Sequence, residues 1–299
     1  MEQSTYLAAA VQMAPVWMDR GRSTDKVIAK IRQLGERGVR LAVFPEVIIP
    51  GTPHWNWLTP SDSELYALQW ENAVELEGPE LRAVGEACKE AGMHVVVGIT
   101  ERMRRALFNT IVFFDDQGRR IGVHRKVMPT QSEKVVWAPG DGTGLTVYET
   151  PLGRLGGLIC AEHNMSLARY ALAQQGEEVH AAVWVSGSAR RAEFNRWVEL
   201  WSGSYALANQ CYVISAQAVA SDEEMERFGL QRRGGWSAIL APDASIVAGP
   251  ITEQEGEVIG PIDSRKVVRT YNLFDAIDYH GRPDLFEFRL HRPEGQNPR

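Results

Sequence analysis

Three residues of this 299-residue chain have types and positions suited to chemistry: Glu46, Lys126 and Cys160. Each follows a short apolar run. Glu46 comes after Leu41 to Phe44 and Pro45, Lys126 after the run into His124-Arg125, and Cys160 after Leu155 to Ile159. In sheets covered by helices, ligands sit at the carboxyl ends of strands. A thiol with a pKa of about 8.5 needs help to ionise near neutrality, and an adjacent ammonium favours the thiolate. A carboxylate can take the thiol proton and later activate water. The ammonium can also stabilise an anion developing on a substrate. Together the three residues describe nucleophilic catalysis by cysteine. Singly they read otherwise: a charge just past a strand is usually a solvated loop residue, and a free cysteine is usually a small buried hydrophobe.

Competing constellations fit less well. Cysteine with histidine is the usual thiol-protease arrangement. Of the seven histidines, His163 lies three residues past Cys160, where the bend turns it away, and none sits in a pairing motif. A metal site lacks an HExxH motif and clustered Cys or His. Gly153, Gly156 and Gly157 precede and occupy a strand and do not open a phosphate-binding helix. Ser186-Gly187-Ser188 lacks the Gly-x-Ser-x-Gly elbow and reads as a turn.

The elements that must position these residues follow from apolar periodicity. Leu7 to Met13 is a continuous apolar run, the mark of a strand buried on both faces. Val27, Ile28, Ile31 and Leu34 recur at helical spacing after a polar start at Ser23-Thr24-Asp25, and Leu41 to Phe44 is the next strand. Helices are expected over Asp62 to Glu75 and Pro79 to Ala91, then strands over His94 to Ile99, Leu107 to Phe114 and Arg120 to His124. Asp115-Asp116-Gln117-Gly118 is a hairpin turn. Leu145 to Glu149 and Leu155 to Ile159 form a second hairpin, which delivers Cys160. Helix Ser166 to Gln175, strand Val179 to Val185, helix Arg191 to Gln210 and strand Tyr212 to Ala218 follow. Ser237 to Leu240, Ser245 to Val247 and Glu257 to Ile262 are the last strands. The alternation runs twice over, which predicts an α/β fold of two mixed sheets packed face to face with helices outside. No Gly-, Pro- or Ser-rich linker divides the halves. The expectation is one domain over residues 1–265 and a polar, basic-rich C-terminal arm over 266–299.

The totals bound the function. An apolar content of 44% and a charged content of 23% belong to an ordinary globular protein. The net charge of -6 argues against nucleic acid or an anionic membrane as main partner. Three cysteines, Cys88, Cys160 and Cys211, are too few and scattered for a disulfide framework or zinc cluster. With no signal-peptide pattern and no apolar stretch of about 18 residues, a reducing cytoplasm is the expected location.

These residues carry a resemblance. Phe44-Pro45-Glu46, His124-Arg125-Lys126-Val127-Met128-Pro129-Thr130 and Cys160-Ala161-Glu162 resemble the Glu, Lys and Cys signatures of the nitrilase superfamily of carbon–nitrogen hydrolases. Pro50-Gly51-Thr52-Pro53, Glu133 with Val136-Trp137, Gly140-Asp141-Gly142 and Ser166-Leu167-Ala168-Arg169-Tyr170 are similar to motifs of its nitrilase branch. Asp278-Tyr279-His280-Gly281-Arg282-Pro283-Asp284 loosely echoes another. The resemblance implies a four-layer α-β-β-α sandwich and a homodimer or higher homo-oligomer, with the C-terminal arm at an interface. It also implies hydrolysis of a small-molecule nitrile to acid and ammonia without cofactor or metal. Glu46, Lys126 and Cys160 would be catalytic, with Glu133 as the auxiliary glutamate that holds Lys126. An amidase or a nitrile or cyanide hydratase would use the same triad, and a non-catalytic filament or binding protein is the reading from another class. The chain departs from the pattern where Ala161 replaces tryptophan and Thr52 replaces tyrosine, both changes from large to small. That implies retained chemistry in a roomier pocket, with Thr52, Trp57, Ala161 and Trp184 as candidate substrate-binding residues and Trp55 as a further aromatic wall.

Overall fold

The computed structural model describes residues 5–186, 193–278 and 280–291, and the backbone alone for 273 and 274. β1 (Thr5–Gln12) shows why the core has two compartments. Successive strand side chains point to opposite faces, so Ala8 and Ala10 enter one cluster and Ala9 and Val11 the other. α1 (Arg20–Glu36), capped by the Asp19 carboxylate accepting from the Arg22 N–H at 2.9 Å, buries Val27, Ile31 and Leu34 in the second cluster. β2 (Val39–Val43) follows, then α2 (Ser63–Glu71), α3 (Pro79–Ala91), β3 (His94–Met103), β4 (Ala106–Phe114) and β5 (Arg120–Arg125). α3 starts on Pro79 and stops at Gly92, whose φ of +59° suits glycine.

The second half runs β6 (Tyr148–Thr150), β7 (Gly153–Ile159), α4 (Ser166–Ala173), β8 (Val179–Trp184), α5 (Phe194–Asn209) and β9 (Tyr212–Gln217). It closes with α6 (Asp222–Phe228), β10 (Ser237–Leu240), β11 (Ile246–Ile251), β12 (Gly256–Asp263) and α7 (Ser264–Phe274). The strand orders are β12-β1-β2-β3-β4-β5 and β11-β10-β9-β8-β7-β6. Both sheets are mixed: β1, β2 and β3 are parallel, as are β7, β8 and β9, with antiparallel strands added outside them. β1 faces β9 and β10, so the sheets pack against each other, with α1 and α3 outside one and α4 and α5 outside the other. The two-sheet sandwich read from the alternation is the fold. Among the described residues no helix is long and apolar enough to cross a membrane.

Several expected boundaries move, two of them for a plain tertiary reason. α2 stops at Glu71 because Val74 joins the sheet edge, donating to the Thr100 carbonyl at 2.8 Å and accepting from Arg102 at 2.7 Å. β3 runs on to Met103 because its hairpin with β4 pairs that far. The strand expected over Leu145 to Glu149 is three residues placed later, Tyr148 to Thr150. The arm expected from residue 266 begins instead as α7, capped by Asp263, with Val267 in the core. α6 was not anticipated, although Ser221 and Glu224 form a capping box ahead of it. Gly187, Ser188, Arg191, Tyr279 and residues 292–299 lie outside the described residues.

Gly98 of β3 ties the sheet to the loop bearing Glu46. A Cβ there would lie 2.6 Å from the Val47 nitrogen and 2.8 Å from the Glu46 Cα, and would overlap the Pro45 carbonyl oxygen. Overpacking of this kind costs about 1–3 kcal/mol. Gly98→Ala is expected to lose that much in urea unfolding and to shift the Glu46 backbone.

Candidate active site

Glu46, Lys126 and Cys160 leave the ends of β2, β5 and β7, and the sandwich brings them to one buried place. Cys160 opens a 3-10 turn, Cys160–Asn164, with φ at +52°, a left-handed conformation uncommon for a non-glycine residue. Lys126 Nζ donates to Glu46 Oε1 at 3.0 Å and to Glu133 Oε2 at 2.8 Å. Its backbone is clamped too: the Lys126 N–H donates to the Asn109 carbonyl and its own carbonyl accepts from Gly140, both at 2.8 Å. Glu133 is held by a capping box, its Oε2 accepting from the Thr130 N–H at 2.7 Å. Asn109 donates its amide to Glu46 Oε1 at 2.7 Å. Glu46 Oε2 is buried without a hydrogen-bond partner, a carboxylate oxygen left available for a proton.

Burial sets the protonation states. It lifts the Glu46 carboxyl to about 7, with Lys126 and Asn109 pulling against it. It pushes the Lys126 ammonium down, but Glu133 and Glu46 outweigh this and hold it well above its usual range. It raises the Cys160 thiol well above its usual value, as does Glu46, while Lys126 and the Ala161 N–H favour the thiolate. Cys160 therefore rests as a thiol beside a buried carboxyl and a fixed ammonium.

Cys160 and Ala161 lie at the wall of an apolar cavity of about 160 Å³. Thr52, Pro53, His54, Asn56, Trp57, Thr130, Gln131, Glu133, Trp137, Val185, Phe194, Trp197 and Trp201 complete its lining. Thr52, Trp57 and Ala161 are thus where pocket residues were expected. Trp184 is not. It is fully buried, donates its indole N–H to Ser215 Oγ at 2.9 Å and stacks behind Trp201 at 5.9 Å. The end of β8 points it into the layer under α5, so it supports the wall without forming it. Trp55 is likewise core and off the lining. His163 meets the Cys160 backbone: its Nδ1 lies 2.7 Å from the Cys160 carbonyl oxygen.

Sequence reasoning missed Asn109, Glu162, Trp197 and Trp201 in these roles. Glu162 fastens the site together. Its Oε2 accepts from the Ile159 N–H at 2.8 Å and pairs with His124 Nε2 at 2.8 Å, while Oε1 accepts from the Val127 N–H at 2.7 Å. Burial would raise this carboxyl, but His124 and these donors outweigh it and the pKa is lowered. One carboxylate thereby joins the Cys160 turn to the Lys126 loop. Trp197 and Trp201 stand four apart on α5, a spacing that puts both on one face.

The carbon–nitrogen hydrolase family model matches residues 7–272. A protein called Nitrilase 3, from an unknown prokaryotic organism, is 35% identical, with 95% of this chain and 90% of that protein covered. A nitrilase of Paraburkholderia phymatum is 34% identical over 97% of this chain and 87% of its own. Among solved structures, a carbon–nitrogen hydrolase from Helicobacter pylori superposes with a TM-score of 0.76 at 17% identity, covering 94% of this chain and 97% of that one. A mutant amidase of the nitrilase superfamily from Nesterenkonia gives 0.69 at 14% identity, covering 94% and 95%. At these identities the structures speak for the fold.

Removing the cation from the buried pair leaves two carboxylates facing one another. Breaking such a pair costs about 3–5 kcal/mol. Lys126→Met is expected to lose stability of that order in denaturant unfolding and to raise the Glu46 pKa further, which a carboxyl-selective infrared titration reads.

Proposed function

Because the chain belongs to the carbon–nitrogen hydrolase family, we propose that it is a nitrilase, converting an organic nitrile and two waters to a carboxylic acid and ammonia. The observation that carries this reading is the buried Glu46–Lys126–Glu133 set beside Cys160 at the wall of an apolar cavity. The nitrile, in preference to another carbon–nitrogen bond, is supported by the nitrilases that match this chain over nearly its whole length. Glu46 takes the Cys160 proton as sulfur bonds to the nitrile carbon, and the proton passes to the nitrogen to give a thioimidate. Glu46 then deprotonates a water that adds to this carbon. Glu46 returns that proton to the nitrogen of the tetrahedral adduct and then carries the adduct's hydroxyl proton to it as well, so that ammonia leaves with both protons of the water and a thioester remains. A second water, activated in the same way, releases the acid and returns the proton to sulfur.

Lys126 keeps its proton throughout and stabilises charge on the reacting nitrogen or oxygen, while Glu133 holds it in place. The Ala161 N–H serves the oxyanion, since the small side chain leaves the backbone donor intact. Thr52, Trp57 and Ala161 shape the substrate's side-chain space. Self-association belongs to the same reading, through the outer face of α4 and α5, where Leu167, Leu200 and Leu207 are exposed.

A panel of nitriles and matching amides, assayed for ammonia with the organic product identified, tests the assignment. Acid and ammonia from nitriles, abolished by Cys160→Ala, are expected; activity on amides alone makes the protein an amidase of the same family. The acid side of the profile is set by Glu46. Its carboxyl must be ionised to accept the thiol proton and is lifted to about 7, so kcat/KM falls as pH drops through about 7. A profile flat down to about pH 5 would remove Glu46 as the base.

A further inference from the structure

Under the Cys160 turn lies a chain of buried polar groups that the nucleophile's proton chemistry does not use. His163 Nδ1 is 2.7 Å from the Cys160 carbonyl oxygen, and His163 Nε2 is 2.9 Å from His180 Nε2. His180 Nδ1 is 2.7 Å from Glu177 Oε1, and the Tyr205 hydroxyl donates to Glu177 Oε2 at 2.6 Å. His163, His180 and Tyr205 are fully buried and Glu177 nearly so. The backbone makes room for the carboxyl: any Cβ on Gly156 would collide with Glu177 Oε1.

The proton positions follow from the acceptors. A carbonyl oxygen only accepts, so His163 Nδ1 carries a hydrogen and, the ring being neutral, its Nε2 is a lone pair. His180 must then donate from Nε2. Its Nδ1 meets Glu177 with one proton between them, either as carboxylic acid and imidazole or as carboxylate and imidazolium. If that proton is lost, a lone pair of His180 must face either Glu177 or His163. Relief of the second clash needs the hydrogen on His163 Nε2, which gives up the bond to the Cys160 carbonyl. That carbonyl shares one planar peptide unit with the Ala161 N–H, and this N–H faces the Cys160 sulfur and favours its thiolate. Fixing the oxygen therefore aims the N–H.

We infer that His163, His180 and Glu177 are positioning residues for Cys160, a single shared proton keeping the Cys160 carbonyl bonded and the Ala161 N–H directed at the sulfur. The inference rests on Cys160 being the nucleophile. Glu177 also borders a cleft on the far side of β7, shared with Arg154, Tyr271, Asp275 and Asp278, which lets its proton exchange with solvent. Arg154 is engaged by Glu178 at 3.6 Å. Farther in stand Arg169 of α4, Cys211, and the His124–Glu162 pair. Among the described residues, the ion-pair partner of Glu177 is His180. Burial lifts Glu177 to about 8, with Tyr205 opposing, and drives both histidines well down. The proton is thus held below about pH 8 and lost above it.

Glu177→Gln separates orientation from titration, because the amide donates to His180, accepts from Tyr205 and keeps its proton at every pH. His163→Phe deletes the bond to the carbonyl. Both variants and wild type are read from about pH 6 to about pH 10 by two assays: ammonia release, and iodoacetamide alkylation at Cys160 located by mass spectrometry. Glu177→Gln is expected to match wild type within about twofold near pH 7 and to exceed it increasingly above about pH 8 in both assays. His163→Phe is expected to lower kcat about tenfold or more, with KM within about threefold. Superimposed wild-type and Glu177→Gln profiles overturn the inference, as does an unchanged kcat in His163→Phe. The Glu177 comparison stands alone should His163→Phe fail to fold. If no nitrile or amide releases ammonia, the proposed reaction fails, and the alkylation profiles still decide the relay.

Discussion

The buried ammonium of Lys126, bonded to both Glu46 and Glu133, is the interaction on which the rest of the site depends. Ions of this kind cost several kcal/mol each to desolvate, and good geometry must offset that penalty. Here the offset comes from rigid elements. β2 and β5 belong to one sheet with β3 and β4 between them, Asn109 of β4 braces Glu46, and a capping box holds Glu133. The loops bearing these groups are tied to the sheet by backbone hydrogen bonds, so little freedom remains for the charges to separate. The same dry setting that makes the set costly makes it useful, since it keeps Glu46 basic enough to accept a proton near neutrality.

Cys160 is held from the opposite sheet. β7 delivers Cys160 into a left-handed turn, and two buried layers hold that turn in place. Glu162 bonds both the turn and the Lys126 loop, and His163 bonds the Cys160 carbonyl. The two sheets supply different halves of the site, so the face-to-face packing of the sandwich is part of the chemistry. Gly98 and Gly156 mark the places where backbone approaches so closely that a Cβ would disturb Glu46 or Glu177.

The pocket is a third contribution. α5 presents Trp197 and Trp201 across from the loop that carries Thr52, His54 and Trp57, and Ala161 leaves space beside the thiol. A cavity of about 160 Å³ with this lining suits a compact apolar group, similar to the roughly 150 Å³ engineered apolar cavity that accepts benzene. Trp184 stands one layer behind, so wall and support both come from tryptophan, and their order is set by which way each faces.

By itself the sequence determined the order of the strands and of the first five helices, the two-sheet sandwich and the residues able to act as base, cation and nucleophile. Those features are local: apolar runs of strand and helix period, and charges or a thiol directly beyond a strand end. Only the tertiary structure decided that Glu162 and Asn109 join the site, that Trp184 does not, and that His163 bonds the Cys160 carbonyl. It also turned the supposed start of an arm into α7 and cut α2 short at the sheet edge. For Asn109, Glu162 and Trp184 the physical reason is common: a polar or aromatic side chain's role depends on which buried donor, acceptor or ring it meets, and those partners lie tens of residues away along the chain. His163 finds a carbonyl close in sequence, but only because of the way the chain bends at Cys160.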